Sequence, residues 1–448
     1  MIELTKEYIE HLREVIELKD ETAAVNMLQE LYPADIAELF QELDLEEAIY
    51  LYMLMDGEKA ADVLMELDEE DRRKLLKELP SELIAKRFID FMETDDAVDL
   101  MRELDEDTQE EILSHIEDVE QAGDIVDLLK YDEDTAGGLM GTEMIVVNEN
   151  WSMPKCLEEM RSQAEEMYEI YYVYVVDDDE RLRGVLPLKK MITSPSVSKI
   201  KHVMKKDPIA VKDSDSIEEV AQTIEKYDLV ALPVIDSIGR LVGRITIDDV
   251  MDEVREQHER DYQLASGISQ DVETSDNVIL QTAARLPWLL IGMIGGLGNS
   301  VLLGGFESSF AANPKMALFI PLIGGTGGNV GIQSSAIVVQ GLANNSLKQG
   351  NVWKQIVKES AVSLINASII SLVVFIYNFF MLNNRAITAS VSLSLFAVVM
   401  FASIFGTLVP MTLDRFKIDP ALATGPFISI TNDIIGMMIY MFITAALS

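Results

Sequence analysis

The chain has 448 residues, a formal net charge of −41 and, despite that charge, 48% hydrophobic residues and a mean hydropathy of +0.14. The charge is confined: the first 276 residues hold 28 basic and 72 acidic side chains, a net of −44, while the remainder from Asn277 holds eight basic and five acidic, a net of +3. A −44 surface repels phosphate backbones and anionic headgroups, which argues against nucleic-acid binding and polybasic membrane docking and leaves metal cations as the natural counter-ions.

The first twenty residues form a charged amphipathic pattern without the apolar core of a signal peptide, so the acidic portion is expected to stay in the cytoplasm. Residues 1–130 carry short amphipathic stretches, each closed by Glu42-Leu43-Asp44, Glu66-Leu67-Asp68 or Glu103-Leu104-Asp105, a spacing that predicts helical hairpins in an α-solenoid. A second repeat follows between 139 and 255, where Asp177, Gly184 and Met191 align with Asp236, Gly243 and Val250 at a constant offset of 59. Its alternation of strand-like and helical runs resembles a tandem CBS module, a small α/β regulatory domain. From Ile247 to Gln270 one long helix is expected, with Asp248, Asp249, Asp252, Glu253, Glu256 and Glu259 sharing faces at spacings of three and four.

Five apolar stretches are then long enough for a hydrocarbon core of about 30 Å: Pro287 to Phe306, Met316 to Ala343, Ile356 to Leu382, Val391 to Leu413 and Ala421 to Leu447. An odd number puts the C-terminus, Ser448, outside. Arg285, Lys348, Lys354, Lys358, Arg415 and Lys417 then fall on inner flanks against Lys315 and Arg385 outside, as the positive-inside rule asks. In the second stretch Pro321 and a run of glycines interrupt the apolar pattern, predicting irregular backbone that lines a cavity, with Asn329 and Gln333 as amide ligands. The fifth holds Asn432 and Asp433. A carboxylate at that depth costs at least about 2.5 kcal/mol and marks a polar pathway. Carboxylate, amide and carbonyl oxygens form a hard-ligand set that suits magnesium, calcium or manganese. A two-fold dimer bringing two copies of Asp433 together makes a better pore than one copy alone.

Taken together, YDEDTAGGLM (Tyr131 to Met140), PLIGGTGGNVGIQ (Pro321 to Gln333), IDPAL (Ile418 to Leu422) and TNDIIG (Thr431 to Gly436) make the whole chain resemble the MgtE family of magnesium channels. The resemblance implies a homodimer in the lipid bilayer, Asp433 as the central pore ligand, and regulatory Mg2+ held by Asp62, Asp95, Asp99, Asp228, Asp249, Asp252 and Asp419. Asp261 is kept in the connecting helix, where Gln257 and Arg260 replace acids usual in the family. CBS nucleotide pockets often use a Ser or Thr followed three residues later by Asp; Thr246 and Asp249 keep this, but the first unit has Pro187-Leu188-Lys189-Lys190, which puts nucleotide binding in doubt.

The expected architecture is mostly α: an acidic helical N-domain at 1–130, CBS repeats at 131–200 and 201–253, a connecting helix at 254–280, and a five-helix membrane domain at 281–448. The function expected is Mg2+ influx gated by intracellular Mg2+. The alternatives are a CBS-regulated transporter of Co2+ or Mn2+, or a membrane-anchored divalent-cation sensor. Enzymatic turnover is not expected. No nucleophile-base pair stands out, GGTGGN lacks a following Lys-Ser/Thr, one cysteine (Cys156) gives no disulfide or thiolate cluster, and four scattered histidines give no zinc site.

Overall fold

A computed structural model describes residues 4–164, 167, 170–270, 272, 277–343, 347, 352–381, 384–423 and 425–447. Lys348, Leu382, Ser448 and residues 271 and 273–276 of the expected connecting helix lie outside them. The chain divides into two units, Met1–Val254 and Arg255–Ser448.

In the first unit, ten α-helices among the described residues, α1 to α10, run from Lys6 to Leu128. The acidic triplets mark helix starts: Asp44 and Asp105 cap the helices that follow by accepting hydrogen bonds from the backbone N–H of Glu47 and Thr108. Such caps satisfy donors that the first helical turn leaves unpaired. Two of these helices matter for the site, α5 (Gly57–Met65) and α8 (Thr94–Arg102). Both bury one apolar face, through Ala60, Val63 and Leu64 and through Ala97, Val98 and Met101, in a single core with Leu51, Phe88 and Leu128.

The short α11 (Ala136–Leu139) leads into two small sheets. The first is β1 (Ile145–Asn148), β2 (Val173–Val176), β3 (Leu182–Leu186) and β4 (Lys205–Lys206), in that order, with α12 (Met153–Gln163), α13 (Leu188–Thr193) and α14 (Ile200–Val203). The second is β5 (Val211–Lys212), β6 (Ala231–Ile235) and β7 (Leu241–Thr246), with α15 (Ile217–Tyr227) between β5 and β6. The 59-residue repeat is visible atom by atom. Asp177 accepts from the Arg181 N–H and Arg183 Nε, and Asp236 from the Arg240 N–H and Arg240 Nε, so each ties the same hairpin. The expected long helix is α16 (Ile247–Ser266), stopped by Gly267 at φ 83°, a left-handed conformation that favours glycine.

The second unit continues with α17 (Val278–Gly304), the short α18 (Glu307–Ala312), a 3-10 turn (Pro314–Phe319), α19 (Ile320–Ala343), α20 (Val352–Met381), α21 (Arg385–Arg415), a second 3-10 turn (Pro420–Ala423) and α22 (Gly425–Leu447). Of these, α21 is the most enclosed, packing against α19, α20 and α22 through Val391, Leu395, Val398 and Val399. The Tyr440 hydroxyl on α22 donates to the Met316 carbonyl at 2.9 Å.

Four helices, α17, α20, α21 and α22, are long and apolar enough to cross a membrane, where five stretches were expected. The second expected stretch is the 24-residue α19, whose glycines, Asn329 and Gln333 lower its hydropathy without interrupting it. The expected irregular backbone is therefore absent. In a solvent without hydrogen-bonding groups an unwound segment loses several kcal/mol per freed peptide group, whereas a continuous helix satisfies its own backbone. The glycines serve packing instead: a Cβ at Gly331 would lie 1.9 Å from Asn432 Nδ2, so only glycine lets α22 approach this closely.

Candidate metal centres

The first unit gathers an acidic centre at the start of α8. Side-chain oxygens of Glu93, Asp95 and Glu143 lie within 4.8 Å of one another, a spacing a single divalent cation can bridge. Asp95 is 9% exposed. It can approach because residue 141 is glycine, whose Cβ would stand 2.8 Å from Asp95 Oδ2. Glu143 is held by the Thr94 N–H at 2.8 Å and the Thr94 hydroxyl at 3.1 Å. Arg244 on β7, 4% exposed, pairs with Glu93 at 2.7 Å and donates Nε to the Glu143 carbonyl. Its backbone exchanges two 2.9 Å hydrogen bonds with Gly141.

Electrostatics makes this centre short of positive charge. Burial pushes the Asp95 carboxyl well above its ordinary range, and Asp249, Asp96, Glu143 and Glu93 add to it. Burial also raises Asp96 to about 7, with Asp249 and Asp99 the largest charges behind it and Asp62 contributing. Asp99 rises to about 6 by burial, although Arg102 at 3.3 Å draws it back and its half-exposed side chain lets solvent moderate the effect. Asp249 is raised by burial against the pull of Thr246, whose backbone N–H and hydroxyl both donate to its Oδ2. Glu93 is raised by burial and partly relieved by Arg244.

The structure thus brings Asp95, Asp99 and Asp249 together, with Asp62 exposed on α5 close enough to act on Asp96. Asp228 is instead the exposed left-handed cap of α15, at φ 51°, and Asp252 is exposed on α16. Sequence reasoning missed Glu93, Asp96 and Glu143. Asp96 stands inside the DDAVD motif and Glu93 two residues before Asp95, so adjacency was their signal. Glu143 lies 48 residues beyond Asp95 in sequence, and only the β7 pairing at Gly141 carries it there.

Beside this centre, a small, partly open pocket is lined by Glu143, Ile145, Tyr171, Tyr174 and Arg244 among others. The Tyr174 hydroxyl and Arg244 Nη1 are buried without a hydrogen-bond partner among the described residues.

In the second unit, Asp433 and Asn432 sit on α22 against α19. Asp433 Oδ1 is buried and unpartnered among the described residues; Cβ atoms at Gly328 and Gly324 would lie 3.3 and 3.6 Å from it. Asn432 is fully buried, and neither of its amide atoms has a partner among the described residues. Asn329 and Gln333, four residues apart, lie on the exposed side of α19, whereas the glycine face meets α22. One chain therefore does not bring them to Asp433. Asp261 is half-buried on α16, and Asp419 is exposed and accepts the Ala421 N–H at 2.7 Å, closing a turn.

Sequence reasoning also passed over Glu359 on α20. It is 8% exposed and accepts from Ser334 of α19 at 2.7 Å and from Ser403 of α21, tying three helices. As one of only five acids beyond Asn277, it was open to the charge count.

Comparison with known proteins agrees with this architecture. The MgtE divalent cation transporter profile matches residues 320–443, the MgtE intracellular N domain residues 31–134, and the CBS domain residues 136–195 and 200–256. The magnesium transporter MgtE of Enterococcus faecalis is 33% identical over 321 residues, covering 72% of this chain and 71% of that protein. The magnesium transporter MgtE of Thermus thermophilus is 33% identical over 316 residues, 70% of each chain. The solved soluble part of a magnesium transporter is similar at TM-score 0.51 and 30% identity, covering 56% of this chain and 98% of that one. The cytosolic domain of the Mg2+ channel MgtE in complex with ATP is similar at TM-score 0.51 and 32% identity, covering 55% and 99%. That ATP complex runs against the doubt drawn from Lys189 and Lys190 about a nucleotide in the CBS pair. With the helical N-domain, the CBS pair and the apolar helices all accounted for, the chain belongs to the MgtE family of magnesium transporters.

Proposed function

We propose that this protein conducts Mg2+ into the cell and closes when intracellular Mg2+ fills its acidic cytoplasmic centre. The observation that carries the conduction step is Asp433, whose Oδ1 is buried and without a partner among the described residues, on an apolar helix beside two glycines. An unsatisfied carboxylate oxygen in such surroundings is costly unless a cation visits it. Mg2+ sheds its water reluctantly, so one carboxylate per chain, doubled in a two-fold homodimer, suits a hydrated ion that must also leave. In this reading α19 crosses the bilayer with the four apolar helices, which puts the C-terminus outside. The membrane potential supplies about 4.6 kcal/mol per 100 mV to an entering divalent ion. Asp433→Ala should abolish Mg2+ uptake by a transport-deficient host while the protein still reaches the membrane; unchanged uptake would sink the pore assignment.

Gating rests on the Glu93, Asp95, Glu143, Asp96 and Asp249 group. Metal-free, these acids repel one another and favour a loosened arrangement; a bound cation reverses the balance, a population shift set by differential affinity. Asp95→Asn with Glu143→Gln should leave single-channel openings that Mg2+ on the cytoplasmic side no longer suppresses. Openings still suppressed at the same Mg2+ concentration would show that the centre is not the sensor. Co2+ and Mn2+ compared in the same recordings test the alternative cargo, and gating signals without flux in liposomes would favour a sensor.

For the CBS pair, the ATP complex of the similar cytosolic domain favours a nucleotide here as well. We assign an anionic group of such a ligand to Arg244 Nη1, which is buried beside Tyr171 and Tyr174 and has no hydrogen-bond partner among the described residues.

A further inference from the structure

The net charge of the acidic half averages over one segment of the opposite sign. Between Arg181 and Lys212 there are nine lysines and arginines and a single acid, Asp207. Arg183 is paired with Asp177 at 2.6 Å. By contrast Lys189, Lys190, Lys199, Lys201, Lys205 and Lys206 make no ion pair among the described residues, although acids outnumber bases in the first 276 residues by 72 to 28.

Lys189, Lys190, Lys199, Lys205 and Lys206 are exposed, and Lys201 is half-buried. Helices α13 and α14 pack on one core cluster through Leu188 and Met191 and through Ile200 and Val203, so Lys189 and Lys190 fall on the side of α13 away from it, and Lys199 stands exposed just before α14. Strand β4 adds Lys205 and Lys206 at the sheet edge beside β3. Two large apolar side chains stand in the same segment with no core to fill: Ile192 is 85% exposed and Val197 89%. Edge lysines also discourage strand pairing, which accounts for Lys205 and Lys206 but not for the four others or the two apolar tips.

We propose that this face of the first CBS repeat docks on the anionic headgroup surface of the membrane. Lysines flanking exposed aliphatic side chains suit an interface in which phosphates meet the ammonium groups and the apolar tips enter the acyl boundary. A soluble polyphosphate gives Ile192 and Val197 nothing to contact. The surrounding negative charge would defeat such docking for a protein free in solution, but a chain held in the bilayer by its own helices meets that surface at high effective concentration.

The test uses the full chain in nanodiscs of phosphatidylcholine alone and of phosphatidylcholine with phosphatidylglycerol, reading amine labelling of each lysine by mass spectrometry. Expected is several-fold slower labelling of Lys189, Lys190 and Lys199 in the anionic discs, reversed by high salt, with Lys19 of the N-domain unchanged. Ile192→Ser with Val197→Ser should weaken the protection, and Lys189→Glu with Lys190→Glu should remove it at Lys199. Equal labelling in both lipids would overturn the proposal. So would equal protection in both, which would point to a protein surface, such as a second copy, as the occupant.

Discussion

At the scale of single residues, four carboxyls of the acidic centre, Asp95, Asp96, Asp99 and Asp249, hold a proton more tightly than free ones do when no cation is near. Asp96 near 7 and Asp99 near 6, with Asp95 and Asp249 also raised from an ordinary 3.8, bind protons more tightly in the packed arrangement than in an open one. Their contribution to packing is therefore complete below about pH 4 and is lost as the pH rises through about 6 to 7. In chelator, the cytoplasmic portion of the full chain should resist protease better at pH 5 than at pH 8, and Mg2+ at pH 8 should restore the resistance. Equal digestion at the two pH values without metal would contradict this. The motifs DDAVD and DDVMD, through the family resemblance, made Asp95, Asp99 and Asp249 legible in the sequence. Glu143 was hidden because a β-pairing, not a helical spacing, delivers it.

Among the elements, α19 shows where composition misleads. Five glycines between Gly324 and Gly331 predicted broken backbone, yet the helix is continuous and its small residues form a contact face. Gly331 and Gly325 separate the two roles. At Gly331 an added methyl would meet Asn432 and Ile428, so Gly331→Ala should cost about 1–3 kcal/mol of overpacking and lower the melting temperature of the solubilised protein. At Gly325 no atom of the described residues would lie within 4 Å of an added methyl, and Gly325→Ala should be neutral or stabilise by about 0.5–1 kcal/mol through helix propensity. Melting temperatures that move alike for the two variants would show that α19 and α22 do not pack as described. Helix positions were legible because length and apolarity decide them; the neighbour of each face was not, since periodicity names a stripe without its partner.

For the whole molecule, a −44 cytoplasmic part can be quieted by general screening or by ions in sites, and the two have different concentration dependence. Screening shortens the Debye length to about 8 Å only near 0.15 M salt, whereas bound Mg2+ needs only to exceed its dissociation constant. Protease resistance should therefore respond to millimolar Mg2+ at fixed ionic strength. Sodium matching magnesium at equal ionic strength would reduce the centre to a diffuse counter-ion cloud. The division into an acidic and an apolar half was readable from charge alone, but the basic face of the first CBS repeat was lost in the average. One detail of the acidic centre bears on what binding an ion there would cost. Thr246 clamps Asp249 by Oδ2, which fixes the position of the remaining oxygen, Oδ1. Ordering a free carboxylate around an ion costs rotamer entropy; here the clamp has already ordered the side chain, so a cation that reaches Oδ1 meets a prepared oxygen.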